Sequence, residues 1–351
     1  MPSIAKPSAT HPSLQRNTLG LTIRDYEGAM STLCAGCGHD SITAALVRAL
    51  WESSVEPHMV AKLSGIGCSS KTPTYFVSGA HGFNSAHGRM PPIATGANAA
   101  NRQLVYIGIS GDGDSLSIGL GHMCHAIRRN VRMVYVIENN GVYGLTKGQF
   151  SASADIGTKS KKGEKNRMAP IDSVMLGLSL GATFIARSFS GDKDQLVPIL
   201  KAAVAHRGFA LIDVISPCVT FNDHEGSTKS YLYTRQHELK ALEADFVAPA
   251  SEILAHIGTN GAVSVTMHDG SAILFKGVPE NYDPTDREKV IAYLEDHQGK
   301  GEVVTGLLYV DESVPDLHEM NNTPDIPLTR LPYQKLCPGS AVLDKLQEDY
   351  R

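Results

Sequence analysis

Two short motifs hold the side chains most able to do chemistry in this chain. The motif GDGD at 111–114 follows a buried strand, LVYIGIS, and the motif NNGVY at 139–143 follows a second buried strand, RMVYVIE. A helical stretch separates them. Because both motifs come directly after strands of one predicted parallel sheet, we expect them to meet at the edge where α/β folds bind ligands.

The donors in these motifs are the hard oxygens that magnesium prefers. Asp112 offers a carboxylate, Asn140 an amide oxygen and Val142 a backbone carbonyl, and magnesium usually completes its octahedron with phosphate oxygens. The glycines beside Asp112 let the backbone approach a diphosphate closely. The helix that starts near Asp114 offers free N–H groups to the same anion. The alternative, a plain strand–turn–helix corner with an acidic cap, is disfavoured by the spaced asparagine pair.

Most of the cysteines lie in turn-like segments with glycine or proline beside them. These turn cysteines are Cys34, Cys37, Cys68 and Cys218. Turns present thiolates to a metal, and four thiolates suit tetrahedral zinc or an iron–sulfur cluster equally well. The Cys-x-x-Cys pair alone also fits a thioredoxin-like redox pair, against which its glycine-rich context argues. Cys124, in a helical stretch, and Cys337, in the C-terminal tail, are predicted to be ordinary buried cysteines.

Length and composition exclude several classes of function. A chain of 351 residues can bury a large core, and its formal net charge of −4 gives no sign of a nucleic-acid or charged-membrane partner. No apolar run approaches the length of a membrane span. Segment 1–25 is polar, contains proline and lacks an apolar signal core, so we expect a flexible or partner-wrapping arm. The low cysteine count predicts the reducing cytoplasm.

Alternation of strand and helix patterns predicts an α/β fold with a doubly wound, mainly parallel sheet. The predicted strands are VAKLSG, ATFIARS and FALIDVIS. The predicted helices cover 40–53 with Asp40 or Ser41 as cap, then 93–101, 171–180 and 193–206. The polar segment 151–169 is predicted to be a loop that gates the site, contacts a partner or is merely mobile.

The pattern changes after Asn222, and we expect residues 226–351 to form a C-terminal extension packed on the domain at 26–225. The predicted elements of this extension are a helix over 231–245, a hairpin turning at Asp269 and Gly270, a helix over 285–298 and the strand VVTGLLYV.

Six segments together resemble one known family. They are CAGCGHDSIT, SGIGCSS, HGRMPPIATG, GDGDSLSIGLGH, RRNVRMVYVIENNGVYGLTKGQ and SPCVTFN. In this order, between Tyr26 and Asn222, they resemble the β subunit of the 2-oxoacid:ferredoxin oxidoreductases, and most closely the 2-oxoglutarate type. The resemblance implies the pyrophosphate-domain fold of thiamine diphosphate enzymes.

The resemblance also implies the bound groups: thiamine diphosphate, Mg²⁺ and one [4Fe–4S] cluster, which favours iron and sulfur over zinc. It implies metal ligands at Cys34, Cys37, Cys68 and Cys218 for the cluster and at Asp112, Asn140 and Val142 for Mg²⁺. The positions that would line the cofactor are Ile66, Gly67, Cys68, Ser69, Thr95, Gly113, Asp114, Gly144 and Leu145.

The activity implied is CoA-dependent oxidative decarboxylation of a 2-oxoacid, with electrons passed through the cluster to ferredoxin. 2-Oxoglutarate is the first choice of substrate, and pyruvate and branched-chain 2-oxoacids stay open. The substrate carboxylate needs a cation or donor, for which Lys71, His87 and Arg89 are the candidates. The alternatives are a solvated surface lysine, a core histidine and an arginine that only holds a loop.

No residue in the motif region, 30–150, fits the role of the glutamate that activates the cofactor. Thiamine diphosphate enzymes need a glutamate against the aminopyrimidine ring, and Glu52, Glu56 and Glu138 fit poorly. The resemblance implies that an α subunit supplies it, in an αβ heterodimer or a dimer of that unit. Two alternatives are a differently coupled thiamine diphosphate enzyme with a structural cluster, and an electron-transfer module, which would not need the pair Asp112 and Asn140.

Overall fold

The computed structural model describes residues 4–7, 11–160, 162–241, 243–249, 263–276, 279, 282–337 and 339–350. The α-helices in these ranges are α1 (Gly38–Glu52), α2 (Met90–Ala100), α3 (Leu120–Arg128), α4 (Ser173–Leu180), α5 (Lys193–Ala205), α6 (Tyr231–His237), α7 (Arg287–Gly299), α8 (Leu317–Asn321), α9 (Tyr333–Leu336) and α10 (Ser340–Glu348). The strands are β1 (Val60–Ser64), β2 (His81–Asn84), β3 (Val105–Gly111), β4 (Met133–Asn139), β5 (Val142–Tyr143), β6 (Gln149–Phe150), β7 (Phe184–Phe189), β8 (Phe209–Ile215), β9 (Glu238–Lys240), β10 (Glu243–Val247), β11 (Val263–Thr266), β12 (Ala272–Lys276) and β13 (Val303–Val310).

The core is an eight-stranded sheet in the order β2-β1-β3-β4-β8-β7-β13-β9. Every pairing from β2 to β7 is parallel, and β13 is antiparallel to β7. All residues of β4 and β8 are buried, as expected for parallel strands covered on both faces. Helix α1 packs against α5, and α3 packs against both α2 and α4. The predicted α/β class with a mainly parallel sheet is confirmed.

The strand order brings the functional segments to one edge. The strands β1, β3, β4 and β8 are neighbours and parallel, so the loops that follow their carboxyl ends lie side by side. Register fixes this alignment: Gly111 pairs with Glu138, and Asn139 pairs with Ile215. The two predicted motifs and the segment leading to Cys218 therefore leave the sheet at the same level.

Two predicted helix starts shift by a few residues. Helix α1 has Cys37 as its N-cap, so the predicted caps Asp40 and Ser41 lie inside its first turn. Helix α2 begins at Met90 rather than at 93, with prolines in its first turn, where the missing N–H costs nothing. Helices α4, α5 and α7 and strands β1, β7, β8 and β13 lie where they were predicted.

The predicted helix over 231–245 is wrong in its second half. Helix α6 ends at His237, and the chain continues as β9, which pairs with β13, and β10, which pairs with β12. Sheet pairing with strands distant in sequence outweighs the local helical pattern there. The predicted hairpin is present, since β11 and β12 are antiparallel and Gly270 takes a positive φ of 83° between them.

The remaining segments are the N-terminal arm and the long loop at 151–169. The N-terminal arm contacts the body at Ile4, whose carbonyl accepts from the Met30 amide at 2.8 Å, and at Asn17, whose Nδ2 donates to the carbonyl of Trp51 at 3.0 Å. The predicted loop at 151–169 is loop in its described residues, apart from one bridge between Lys159 and Lys165. In the part of the chain that the structure describes, no helix is both long and apolar enough to cross a membrane.

Candidate active site

A cleft opens where β1, β3 and β4 end. The predicted site residues that line it are Ile66, Gly67, Cys68, Ser69, His87, Asp112, Gly113, Asp114, Asn140, Val142, Gly144 and Leu145. They come from four separate segments of sequence, and the parallel strand order alone brings them together. His39, Gly111, Tyr143 and Thr146 also line the cleft and were not predicted as site residues.

Asp112 is the most enclosed carboxylate of the cleft. Ser153 Oγ donates to it at 2.6 Å and the Gly141 amide at 3.1 Å, and the Ser151 hydroxyl also donates to it. Burial raises the pKa of Asp112, while these hydroxyl and amide donors work in the opposite direction. Sequence reasoning missed both serines, because a serine in a polar loop carries no signal that distinguishes it from its neighbours.

The second motif contacts the first directly. The Asn140 amide N–H lies 3.4 Å from Asp112 Oδ1, and Asn140 Oδ1 accepts from the Val142 amide at 3.0 Å. Asn222 Nδ2 donates to the Asn140 carbonyl at 2.8 Å and fixes the turn from behind. The two contacting turns thus offer a carboxylate, an amide oxygen and a backbone carbonyl, the donor set that suits a magnesium ion sharing its shell with a diphosphate.

Glycine at 113 is required by packing rather than by backbone conformation. A β-carbon placed there would lie 2.5 Å from Tyr143 Cε1, closer than atoms of two side chains can stand. The Tyr143 hydroxyl donates to the Gly113 carbonyl at 3.0 Å. The ring therefore lies against the backbone of the turn that follows Asp112.

Asp114, two residues further on, ties loops together. It accepts from Ser110 Oγ at 2.7 Å, from the Gly88 amide at 2.7 Å and from the Ile66 amide at 3.3 Å. Its other partner is Nδ1 of His87, which leaves Nε2 as the ring nitrogen outside that contact. Asp114 thereby holds His87 at the cleft, and His87 is the one predicted substrate residue that lines it.

The other predicted contacts lie outside the lining of the cleft. Lys71 is in the short 3₁₀ helix Ser69–Thr74 and lowers the pKa of the Cys68 thiol, against the larger effect of burial, which raises it. Arg89 is exposed, and its guanidinium lies 3.5 Å from the Ile118 carbonyl, the position of a loop-holding residue. Thr95 donates within α2 to the carbonyl of Pro91 at 2.8 Å.

The cysteine segments meet beside the cleft. A β-carbon placed on Gly144 would lie 3.4 Å from Cys68 Sγ and 3.7 Å from Cys218 Sγ. Thr220 Oγ1 lies 3.7 Å from Cys34 Sγ. The Cys37 amide donates to the Cys34 carbonyl at 3.0 Å. Gly144 thus leaves open the space between two sulfurs that any larger residue would fill.

The four turn cysteines also interact electrostatically. Burial raises the pKa of the Cys37 thiol to about 12 and also raises that of Cys68 and of Cys218, and neighbouring thiols of the group add to each rise. A bound metal ion would reverse this effect, since thiolates are the ligating form. Among the described residues, no three Cys, His, Asp or Glu side chains converge as closely as the ligands of a metal. The donor chemistry nevertheless fits an iron–sulfur cluster.

The two remaining cysteines lie elsewhere. Cys124 is half-buried in α3, and Cys337 is exposed after α9. The prediction that Cys337 is a buried cysteine is wrong, because Cys337 is exposed, as are the residues of α9 that precede it.

Contacts among buried polar side chains link the three segments that carry the turn cysteines. Thr72 Oγ1 donates to Glu138 Oε1 at 3.0 Å. His39 Nδ1 lies 3.5 Å from Glu138 Oε2 and 2.6 Å from Ser216 Oγ. All four residues are buried. Burial raises the pKa of Glu138 well above its usual range and lowers the pKa of His39 to about 4. The only sequence signal was a glutamate inside an otherwise apolar strand.

Comparison with known proteins identifies relatives of this chain. Residues 65–214 match the family described as thiamine pyrophosphate enzyme, C-terminal TPP binding domain. The chain is 43% identical over 207 residues to the β subunit of a 2-oxoacid:ferredoxin oxidoreductase from Saccharolobus solfataricus, covering 59% of this chain and 67% of that relative. It is 40% identical over 191 residues to the 2-oxoglutarate oxidoreductase subunit KorB of Mycobacterium tuberculosis, covering 54% and 51%.

One solved structure matches almost end to end. It is a 2-oxoglutarate:ferredoxin oxidoreductase from Magnetococcus marinus with 2-oxoglutarate, coenzyme A and succinyl-CoA bound, at a TM-score of 0.71 and 28% identity, covering 89% of this chain and 90% of that one. Fold and cleft define a thiamine diphosphate enzyme. The chain belongs to the β subunits of the 2-oxoacid:ferredoxin oxidoreductases.

Proposed function

We propose that this chain binds thiamine diphosphate, Mg²⁺ and one [4Fe–4S] cluster, and that it serves as the β subunit of a 2-oxoglutarate:ferredoxin oxidoreductase. The reaction converts one 2-oxoacid, one CoA and two oxidised ferredoxins into acyl-CoA, CO₂, a proton and two reduced ferredoxins. The observation that carries the proposal is the direct contact between Asp112 and the Asn140 turn at the carboxyl edge of the sheet. The 2-oxoglutarate and CoA in the Magnetococcus enzyme support the choice of substrates.

Asp112, Asn140 and Val142 would hold the Mg²⁺. When bound, the cofactor supplies the carbon nucleophile needed to break the bond between the carboxylate carbon and the keto carbon of a 2-oxoacid. The protein's part is to orient and enclose: donors from 141–153 fix Asp112, and the missing side chains of Gly113 and Gly144 make room for the Tyr143 ring and for the sulfurs of Cys68 and Cys218. Ile66 and Leu145, which line the cleft with 38% and 45% of their surface exposed, offer apolar contact at its mouth.

Cys34, Cys37, Cys68 and Cys218 would hold the cluster. Cys68 lines the cofactor cleft and also lies beside Cys218 across Gly144. One loop would therefore contact both groups. This arrangement favours an oxidative reaction over a simple decarboxylation.

His87 is the residue best placed to bind the substrate or cofactor on this chain. Its Nδ1 is held by Asp114, and its ring packs edge-on to Tyr143 with ring centroids 6.1 Å apart. The fixed ring presents its remaining nitrogen in a defined direction. Among the described lining residues of the cleft there is no glutamate, so an α subunit would supply the acid that activates the aminopyrimidine ring.

The test is reconstitution without oxygen. The chain is co-expressed with its α subunit, and initial rates are measured with CoA, ferredoxin and a panel of 2-oxoglutarate, pyruvate and branched-chain 2-oxoacids. We expect cluster absorption to bleach on adding 2-oxoglutarate and CoA, and the isolated chain to turn over nothing. Higher kcat/KM for another 2-oxoacid would reassign the substrate, whereas a complex with bound iron and no turnover of any 2-oxoacid would refute the enzymatic proposal.

A further inference from the structure

One surface segment carries a charge opposite to that of the whole chain. The segment 157–167, here called the basic hairpin, has five basic residues and one acidic residue, in a protein of net charge −4. Backbone bonds close it: the Gly157 amide donates to the Asn166 carbonyl at 2.8 Å, and the Ser160 amide donates to the Glu164 carbonyl at 2.8 Å. The charges are therefore displayed on a hydrogen-bonded turn.

The described cations of the basic hairpin face solvent. Lys159, Lys162, Lys165 and Arg167 are all exposed. Within the ranges that the structure describes, none of these four forms an ion pair with an acid of this chain, whereas many lysines and arginines elsewhere do. Unpaired like charges on one turn create a local positive potential that attracts acidic surfaces and speeds their encounter.

The basic hairpin stands next to the cysteine group. Thr158 Oγ1 donates to Asn222 Oδ1 at 3.4 Å, which anchors the hairpin to the loop after Cys218. Lys159 and Ser160 line one side of a groove, and Thr220 and Phe221 line the other. Thr220 in turn contacts the exposed Cys34, with Oγ1 at 3.7 Å from its sulfur. A protein seated in this groove would therefore touch the solvent side of the proposed cluster site.

We propose that the basic hairpin and the groove beside Thr220 form the docking surface for the acidic face of an electron-carrier protein, the ferredoxin of the proposed reaction. This inference rests on the proposed function, because it needs a cluster at the four cysteines. Each encounter transfers one electron from the reduced cluster to the oxidised carrier, and no bond changes. Such encounters use small interfaces and depend on charge for their rate, which matches an exposed set of cations beside the four turn cysteines.

The test reverses charge on the hairpin and leaves the chemistry alone. The triple variant Lys159→Glu, Lys162→Glu, Lys165→Glu is made in the αβ complex and compared with wild type at several salt concentrations. We expect kcat/KM for ferredoxin to fall about tenfold or more at low salt, and the difference to shrink at high salt as the charges are screened. Turnover with methyl viologen, iron content and the KM for CoA should stay unchanged.

A matched control carries the same charge change at exposed residues of the C-terminal segment. Arg330→Glu, Lys335→Glu, Lys345→Glu should leave kcat/KM for ferredoxin within about twofold of wild type at every salt concentration. If the hairpin variant loses iron, the single substitution Lys162→Glu, at the tip of the turn, should still lower kcat/KM for ferredoxin in a salt-dependent way.

The outcomes separate two failures. A wild-type complex that does not reduce ferredoxin would overturn the proposed function, and the docking surface with it. A wild-type complex that reduces ferredoxin while the hairpin variant does so equally well at low salt would overturn the docking surface alone. A raised KM for CoA with unchanged ferredoxin kinetics would assign the hairpin to the CoA phosphates and would also overturn it.

Discussion

Replacing Lys62 by methionine should remove a pH dependence of stability that the wild-type chain shows above pH 8. Lys62 lies in β1, and its residue is only 6% exposed. Its Nζ donates to the carbonyls of Phe76 at 2.7 Å and Val77 at 2.8 Å and lies 5.2 Å from the centre of the Phe76 ring. In the described part of the chain it forms no ion pair with a carboxylate, so burial lowers its pKa to about 8.

The magnitude follows from linkage between protonation and folding. An unfolded lysine has a pKa of about 10.4, and a difference of one pKa unit between the folded and unfolded states corresponds to about 1.4 kcal/mol. Between pH 8 and pH 10.4 the unfolded chain binds a proton that folded Lys62 does not, so the free energy of unfolding rises with pH by up to about 1.4 kcal/mol per pH unit. Below pH 8 the group is charged in both states, and its burial costs the folded state roughly 3 kcal/mol throughout.

The assay is urea unfolding of the metal-free, reduced chain, followed by circular dichroism at pH 7, 8, 9 and 10. Across this range wild type should gain at least about 2 kcal/mol relative to Lys62→Met. Taking the difference cancels the other groups that titrate at alkaline pH. The exposed substitution Lys345→Met should give a curve parallel to that of wild type. Parallel curves for wild type and Lys62→Met would show that the buried lysine titrates normally and would refute the reasoning.

Lys62 also links the two ends of the loop that carries Cys68. It precedes the loop that carries Cys68, and the two carbonyls it holds follow that loop, at Phe76 and at Val77, whose φ is +37°. A positive φ is strained for a β-branched residue. The ammonium group therefore braces both ends of the loop, and we attribute its buried position to that task.

Three further predictions concern the site. Asp112→Ala should weaken Mg²⁺-dependent binding of thiamine diphosphate by about 100-fold in calorimetry, with iron content unchanged; equal binding by variant and wild type would remove Asp112 from the magnesium site. Cys68→Ser should lower the iron content of the anaerobically purified chain at least twofold, and full iron with an unaltered absorption spectrum would contradict its assignment as a ligand. Glu138→Ala should shorten the lifetime of the cluster in air several-fold, because Thr72 and His39 lose their common partner, whereas Glu138→Gln should keep most of it; an equally long lifetime in both variants would show that the buried link does not position the cysteine segments.

The central sheet was predictable because its signal is local. Strands such as β4 and β8 are runs of mostly apolar residues, broken only near their ends by Glu138 and Asn139 in β4 and by Asp213 in β8, and such runs are typical of strands covered on both faces. The end of α6 was not predictable in this way. Residues 238–240 become a strand because β13, more than sixty residues later in the chain, offers them an edge, and a pattern read over a dozen residues contains no information about that edge.

The residues of the candidate site also fall into two groups, those that local sequence predicts and those that only the fold brings together. Residues in glycine turns after strands, such as Asp112 and Cys68, were predicted, and the structure brings them into one cleft. The residues that hold them in place were not predicted. Ser151 and Ser153 donate hydrogen bonds to Asp112 from a loop whose sequence has no regular pattern. Glu138 was judged only as a possible ring-activating acid, and its contact with Thr72 depends on a fold that joins segments 66 residues apart.

The clearest limit of sequence reasoning is the pair Asp112 and Asp114. Both are buried aspartates in the same glycine-rich motif, and nothing in their spacing assigns them different work. Their partners do: Asp112 accepts hydrogen bonds from the segment 140–153, the side of the proposed metal site, whereas Asp114 accepts from Ile66, Gly88 and His87, the loops on the other wall. One turn thus carries the carboxylate of the proposed metal site and the carboxylate that shapes the cleft around it. Because the helical turn starts at Gly113, between the two aspartates, Asp112 and Asp114 point to opposite walls of the cleft. Their different partners therefore follow from local geometry once the fold is known.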